Sequence, residues 1–225
     1  MKYICLIASI ITCVTAVAQE YKHEIGAGGG FSSYMGDANI NNPFLELHPS
    51  FGLIFRKNMN FRWAVKADLL MGSVSGNTQN SDNVYPANGV AEFKRNFFEL
   101  GGQMEFNFLP FSDKFAYLQT SRITPYMMAG LGFTFAPGNE TFFGLNLPVG
   151  LGLKYKAANR VNLGLEYSIR KLFGDDFDAP NKSGFNLDNP YKMNGGIFKN
   201  RDWYTILMFS ITWNFVPNDR KCTNI

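Results

Sequence analysis

Apolar and polar residues alternate with a period of two through most of this chain, the pattern of strands with one face in an apolar medium and the other turned away from it. The last such segment is the clearest. Trp203, Thr205, Leu207, Phe209, Ile211, Trp213 and Phe215 share one face, while Tyr204, Ile206, Met208, Ser210, Thr212 and Asn214 share a second that turns polar toward its end. The segment is long enough to cross a bilayer, is aromatic at both ends and closes on Phe215.

Seven earlier segments repeat the pattern. Tyr21 to Phe31 sets Ile25, Ala27, Gly29 and Phe31 against Lys22, Glu24, Gly26, Gly28 and Gly30. His48 to Lys57 sets Phe51, Leu53 and Phe55 against Ser50, Gly52 and Arg56. After a tight Asn58-Met59-Asn60 turn, Phe61, Trp63, Val65, Ala67, Leu69 and Met71 alternate with Arg62, Lys66 and Asp68. A fourth strand places Phe98, Leu100, Met104, Phe106 and Phe108 opposite Glu99, Gln103, Glu105 and Asn107. The fifth places Met127, Ala129, Leu131, Phe133 and Phe135 opposite Thr124, Tyr126, Gly130 and Gly132. The sixth runs from Asn146 to Tyr155 and the seventh from Val161 to Arg170, with Lys154, Glu166, Ser168 and Arg170 on their polar faces.

No later stretch is apolar for the length a spanning helix requires. A chain that enters a membrane through strands must close its backbone hydrogen bonds between them, so the pattern predicts an all-β fold, a single closed antiparallel transmembrane β-barrel of eight strands. The connections after the second and sixth strands are short and that after the fourth is moderate. Those after the first, third, fifth and seventh are generally longer and rich in Asn, Asp, Gly, Ser and Pro. Short periplasmic turns and long external loops put both termini in the periplasm and turn Lys171 to Arg201 outward.

The start of the chain supports that compartment. Lys2, the apolar run Ile4 to Val17 and the small-x-small site Ala16-Val17-Ala18 read as a secretory signal peptide over residues 1–18. The barrel then occupies 19–215 and a periplasmic tail 216–225. Cys13 offers a rival reading, a lipoprotein acylated there, but Thr12 is bulky where that signal needs Gly, Ala or Ser. Cleavage leaves Cys222 as the sole cysteine, which excludes an internal disulfide framework and speaks against a metal cluster. The net charge of +3 is spread along the chain and does not imply nucleic acid. Neither a cofactor nor a small-molecule substrate is expected.

The polar faces predict a luminal charge network of Arg56, Arg62, Lys66, Asp68, Glu99, Glu105, Glu166 and Arg170. An eight-strand barrel is just wide enough to be filled by side chains, and charge there must be paired, so the lumen should be a plug and not a diffusion pore. Glu166 and Arg170 are too far apart along one strand to pair together, and each should meet an opposite charge on a neighbouring strand. Catalytic patterns are weak. Gly26-Ala27-Gly28-Gly29-Gly30 lies inside a strand with no helix behind it, so it is no phosphate loop. His23 and His48 belong to no metal or nucleophile motif, although His48 could serve as a rim general base in a lipid-modifying barrel. Glu99 and Glu105 stand roughly 20 Å apart along their strand, too far to work on one bond.

Pro148-Val149-Gly150-Leu151-Gly152-Leu153-Lys154-Tyr155, Glu166-Tyr167-Ser168-Ile169-Arg170-Lys171-Leu172-Phe173, the acidic Asp175-Asp176-Phe177-Asp178, and Tyr34-Met35-Gly36-Asp37 after the first strand together resemble the PorG-like outer-membrane β-barrel family. The resemblance covers nearly all of the mature chain. It implies a component of the type IX secretion system, which exports folded cargo across the outer membrane, and as partners the periplasmic ring lipoprotein PorK and its companion PorN, besides outer-membrane lipid. Residues alone leave the rim to bind partners. Leu109, Phe111 and Phe115 lie in an unusually apolar connection, equally consistent with a docking patch or with a turn dipping into the lipid interface. The reading is thus a non-enzymatic outer-membrane anchor or assembly factor for protein secretion, with a small porin or an adhesin as the alternative.

Overall fold

The computed structural model describes residues 23–36, 44–77, 92–111, 121–138, 141–158, 160–173, 177 and 202–215. Eight antiparallel strands run in chain order: β1 (His23–Met35), β2 (His48–Asn58), β3 (Trp63–Asn77), β4 (Glu92–Asn107), β5 (Ile123–Ala136), β6 (Phe142–Ala158), β7 (Val161–Phe173) and β8 (Trp203–Asn214). Each pairs with the next and β8 returns to β1, so the sheet is a closed barrel. Closure removes every free sheet edge, which lipid would leave unsatisfied. The proposed signal peptide, the tail 216–225 and Phe115 lie outside the described residues.

The alternation dictates which face each residue takes. Leu53, Leu100, Leu131, Leu151 and Ile211 are more than half exposed on the outer wall, while their sequence neighbours point inward. Toward the end that carries the termini, Phe55, Trp63, Tyr155, Trp213 and Phe215 form an aromatic girdle, and Phe31, Phe98, Phe135 and Trp203 form another at the opposite end. Amphipathic rings favour the two membrane interfaces, so these girdles bracket the span.

Several strands run further than the alternation suggests. β3 continues to Asn77, β4 begins at Glu92 and β6 begins at Phe142. The β5–β6 connection therefore shrinks to 137–141, while β4–β5 spans 108–122, so loop lengths alternate less cleanly than expected. Tyr34 and Met35 belong to β1 itself and do not follow it.

A small barrel demands close strand approach. Gly30 of β1 sits opposite Met208 of β8 at the seam, where a Cβ would strike the carbonyl oxygen of Leu207. At Gly102, on the outer face of β4, a Cβ would meet only the Leu131 carbonyl oxygen, at an ordinary contact distance of 4.0 Å. Gly30→Val should therefore destabilise the barrel by the upper end of about 1–3 kcal/mol and abolish its heat-modifiable gel band, whereas Gly102→Ala should keep that band.

Candidate functional site

The lumen is filled in two layers. Toward the long-loop end, Tyr34, Phe93, Phe97, Phe142, Leu172 and Tyr204 form a buried cluster, and Phe177 from the β7–β8 connection is completely buried among them. Its ring stacks on Tyr204 at 5.7 Å and meets Phe142 edge-on at 5.4 Å. The Tyr34 hydroxyl donates to Asp202 Oδ1 at 2.9 Å, tying the end of β1 to the residue before β8. The Tyr34-x-Gly36 element thus supplies part of an aromatic stopper.

Below the stopper lies an ionic layer. Arg170 Nε donates to both oxygens of Glu99, at 2.9 and 3.1 Å, and the Tyr204 hydroxyl donates to the same carboxylate. Lys66 Nζ reaches both oxygens of Glu166, at 2.7 and 2.9 Å, with Asp68 Oδ2 at 3.7 Å and the Tyr126 hydroxyl donating to Glu166 at 2.7 Å. Nearest the termini, Arg56 forks onto Glu105 through Nε at 2.7 Å and Nη2 at 3.1 Å, and its Nη1 donates to Glu24 at 2.7 Å. Lys154 Nζ adds 2.6 Å to Glu105 and 3.1 Å to Asn107, while Asn58 and Thr212 donate to Glu24. Each cation is buried against a carboxylate with further donors on the remaining lone pairs, the condition under which charge tolerates a dry interior.

Seven of the eight residues expected in the luminal network face inward and are buried: Arg56, Lys66, Asp68, Glu99, Glu105, Glu166 and Arg170. Arg62 does not. Asn60 Oδ1 accepts the backbone N–H of Arg62 at 2.9 Å and of Trp63 at 2.7 Å, a turn that holds Arg62 out of the ladder. β3 begins one residue later, and the exposed Arg62 side chain bonds the Phe108 carbonyl at 3.1 Å.

The partners of Glu166 and Arg170 are also corrected. They lie on β3 and β4, across the lumen, and not on neighbouring strands. The neighbours of Glu166 in the ladder are Gly152 and Met208, and those of Arg170 are Pro148 and Tyr204, so neither has an adjacent charge to meet. Glu99 and Glu105 sit in separate ion-pair groups. Sequence reading placed Glu24 and Lys154 on inward faces without enlisting them in the network.

At the rim opposite the start of β1, His48 Nε2 lies 2.8 Å from Ser75 Oγ, whose hydroxyl donates to Glu46. The trio ties the connection before β2 to β3. Leu109 is exposed beyond β4 and exchanges hydrogen bonds with Thr124. Phe111 donates its N–H to Phe61 at 3.1 Å, and its ring lies under Lys156 Nζ, 5.4 Å away. Among the described residues, no group of three or more His, Cys, Asp and Glu side chains is placed to hold a metal ion.

An apolar wall with two aromatic girdles around a charge-filled interior defines an eight-stranded transmembrane β-barrel of the outer-membrane type. Neisserial surface protein A has the same fold: its crystal structure is 12% identical, with a TM-score of 0.50 over 88% of this chain and 100% of that one. Ail of Yersinia pestis, solved with the heparin analogue sucrose octasulfate, is 13% identical with a TM-score of 0.49, covering 87% of this chain and 99% of that one. OprG of Pseudomonas aeruginosa is 11% identical with a TM-score of 0.43, over 88% of this chain and 98% of that one. By sequence, the chain belongs to the family described as Domain of unknown function (DUF6089), which matches residues 1–224. No curated protein sequence matches it.

The cross-lumen pair sets a stability test. Glu166→Leu leaves Lys66 with the Met128 sulfur at 3.3 Å and, as its one described carboxylate partner, Asp68 at 3.7 Å, and should cost about 3 kcal/mol. Lys66→Met with Glu166→Leu should recover much of that loss, because no charge is left stranded. Urea unfolding in lipid vesicles, followed by tryptophan fluorescence, measures both.

Proposed function

We propose that this barrel is a non-enzymatic outer-membrane component of a type IX protein secretion system that anchors or assembles the periplasmic ring at the membrane. Both termini face the periplasm in this reading, and the ring lipoprotein PorK with its partner PorN is the docking target. The filled lumen is the observation that carries it: Arg170, Tyr34, Tyr126, Tyr204, Lys66, Phe93, Phe97 and Phe177 are all fully buried. Where the described side chains fill the lumen in this way, the barrel's work in this reading falls to its two rims. The resemblance of the β6–β7 segment to the PorG-like family supplies the identity of the system. The rim that carries the termini supplies the surface in this reading, with Leu109 and Phe111 as apolar side chains and Phe115 following them in the same connection of the sequence.

Affinity purification from crosslinked envelopes tests the reading directly. The ring lipoprotein should co-isolate with the wild-type barrel. Phe111→Ser combined with Phe115→Ser should weaken that recovery and reduce export, while the heat-modifiable barrel remains in the membrane because the Phe111 backbone bond to Phe61 is untouched. Normal recovery and export in the double variant would reduce the connection to an interfacial turn.

Orientation and lumen have their own readouts. Protease added to intact cells should cut within 174–201, whereas cleavage confined to 112–120 would mean an inverted barrel. In planar bilayers the protein should show no steady conductance, and stable channels would return it to the porin class. Loss of host binding after surface proteolysis would instead mark an adhesin.

A further inference from the structure

The lipid-facing wall is notched between β3, β4 and β5, near the end that carries the termini. The notch encloses about 350 Å³ and is lined by Trp63, Met104, Phe106, Met127, Met128 and Ala129, an almost wholly apolar set. That volume is within the roughly 300–1,000 Å³ of ligand pockets. The ladder explains its shape. Trp63 lies opposite Phe106, Phe106 opposite Met127, and Met104 opposite Ala129. Where Met127 and Leu131 project long side chains on either side, Ala129 ends at its Cβ. Beside it, Gly102 faces Leu131 across one ladder and Ala67 across the other, extending the low ground along the wall.

A cation lies one residue before the first of these lining residues. Arg62 immediately precedes Trp63, and its Nη1 holds the carbonyl of Phe108, two residues past Phe106. Its backbone N–H is held by Asn60 and its carbonyl accepts from Asn107 N–H, but no described carboxylate forms an ion pair with its guanidinium. A guanidinium has five N–H donors in a planar fork, suited to the oxygens of a phosphate. The Trp63–Phe106 pair, with centroids 4.9 Å apart, stands at the level of the girdle, where hydrocarbon gives way to headgroups.

We propose that the notch is a specific site for an anionic glycerophospholipid, with an acyl chain laid over Ala129 and the phosphate held by Arg62. The choice of a glycerophospholipid rests on the proposed orientation, which puts this end in the phospholipid leaflet and not in the lipopolysaccharide leaflet. The site turns a point on the wall that would otherwise meet passing lipid into one that holds a lipid of chosen charge.

Native mass spectrometry of the full barrel, released from detergent in the presence of phosphatidylglycerol, phosphatidylcholine or rough lipopolysaccharide, tests this. One phosphatidylglycerol should be retained under activation that strips the others, with about a five-fold preference over phosphatidylcholine, the value of one cation near a lipid headgroup. Arg62→Gln should remove the preference. Ala129→Phe, which fills the notch, should remove retention itself, and Arg160→Gln, in the β6–β7 turn, should change neither. Heat-modifiability checks that each variant is folded, and Arg62, outside the wall, keeps the test decisive if Ala129→Phe does not fold. Retention blind to charge, or undiminished by Ala129→Phe, overturns the proposal. Preferred retention of lipopolysaccharide also overturns it. Phosphatidylglycerol binding with failed ring recovery would leave the site standing and remove the secretion reading alone.

Discussion

Ion pairing across a closed, narrow lumen is the constraint on which the rest of this barrel depends. Eight strands enclose a space that side chains can fill, and a charge placed there loses its hydration. Arg56, Lys66, Lys154 and Arg170 are each compensated by a carboxylate from a strand that is not their ladder neighbour. Such pairs work only if the wall has closed at the right register. They contribute to specificity as much as to stability, because a slip of one residue would turn every one of these groups toward lipid. Glycines at the seam serve the same end, leaving room for β1 and β8 to pair closely, with Thr212 of β8 donating to Glu24 of β1.

The two luminal layers answer different demands. The aromatic stopper fills the end where connections are long, and Phe177 brings the β7–β8 connection into the barrel's own core. The ionic layer fills the other end, where Glu24, Arg56, Glu105 and Lys154 stand close to the aqueous boundary. Tyr204 joins the layers, its ring against Phe177 and its hydroxyl on Glu99. Opening a path through this interior would mean breaking both aromatic packing and buried ion pairs, so a static filler is the economical description of the lumen.

Much of this architecture was legible in the sequence because lipid imposes the period-two pattern directly. All eight strands could be located, along with the inward face of each. Their ends were harder to place. Outside the hydrocarbon, nothing forces the outer face to be apolar, so Ser73 and Ser75 in β3 and Glu92 in β4 carry no alternation signal. Arg62 was misplaced because alternation extends through a turn as readily as through a strand, while the Asn60 side chain that breaks the ladder is a local signal. Partners across the lumen were not legible at all. They depend on barrel diameter and on small neighbours such as Gly152, which a one-strand reading does not combine. Glu24 and Lys154 were visible on the inward faces, but their importance emerges only where they converge on Arg56 and Glu105.

Beyond the fold, the candidate binding surfaces gather at one end of the molecule. The 59–62 turn and residues 107–111 are a single tied unit: Asn107 N–H donates to the Arg62 carbonyl at 2.7 Å, Arg62 Nη1 bonds Phe108, and Phe111 N–H bonds Phe61. The apolar rim around Leu109 and Phe111 and the cation at the lipid notch are therefore mechanically one surface. A protein seated on Leu109 and Phe111 would press on the same backbone that aims Arg62 at a lipid phosphate. Binding on the two faces is then coupled to whatever extent the shared hydrogen bonds shift, with a sign set by whether docking frees or captures the guanidinium. Under the proposed anchoring role, such coupling would mean that a partner recognised only beside an anionic lipid is recognised only when the barrel is already inserted.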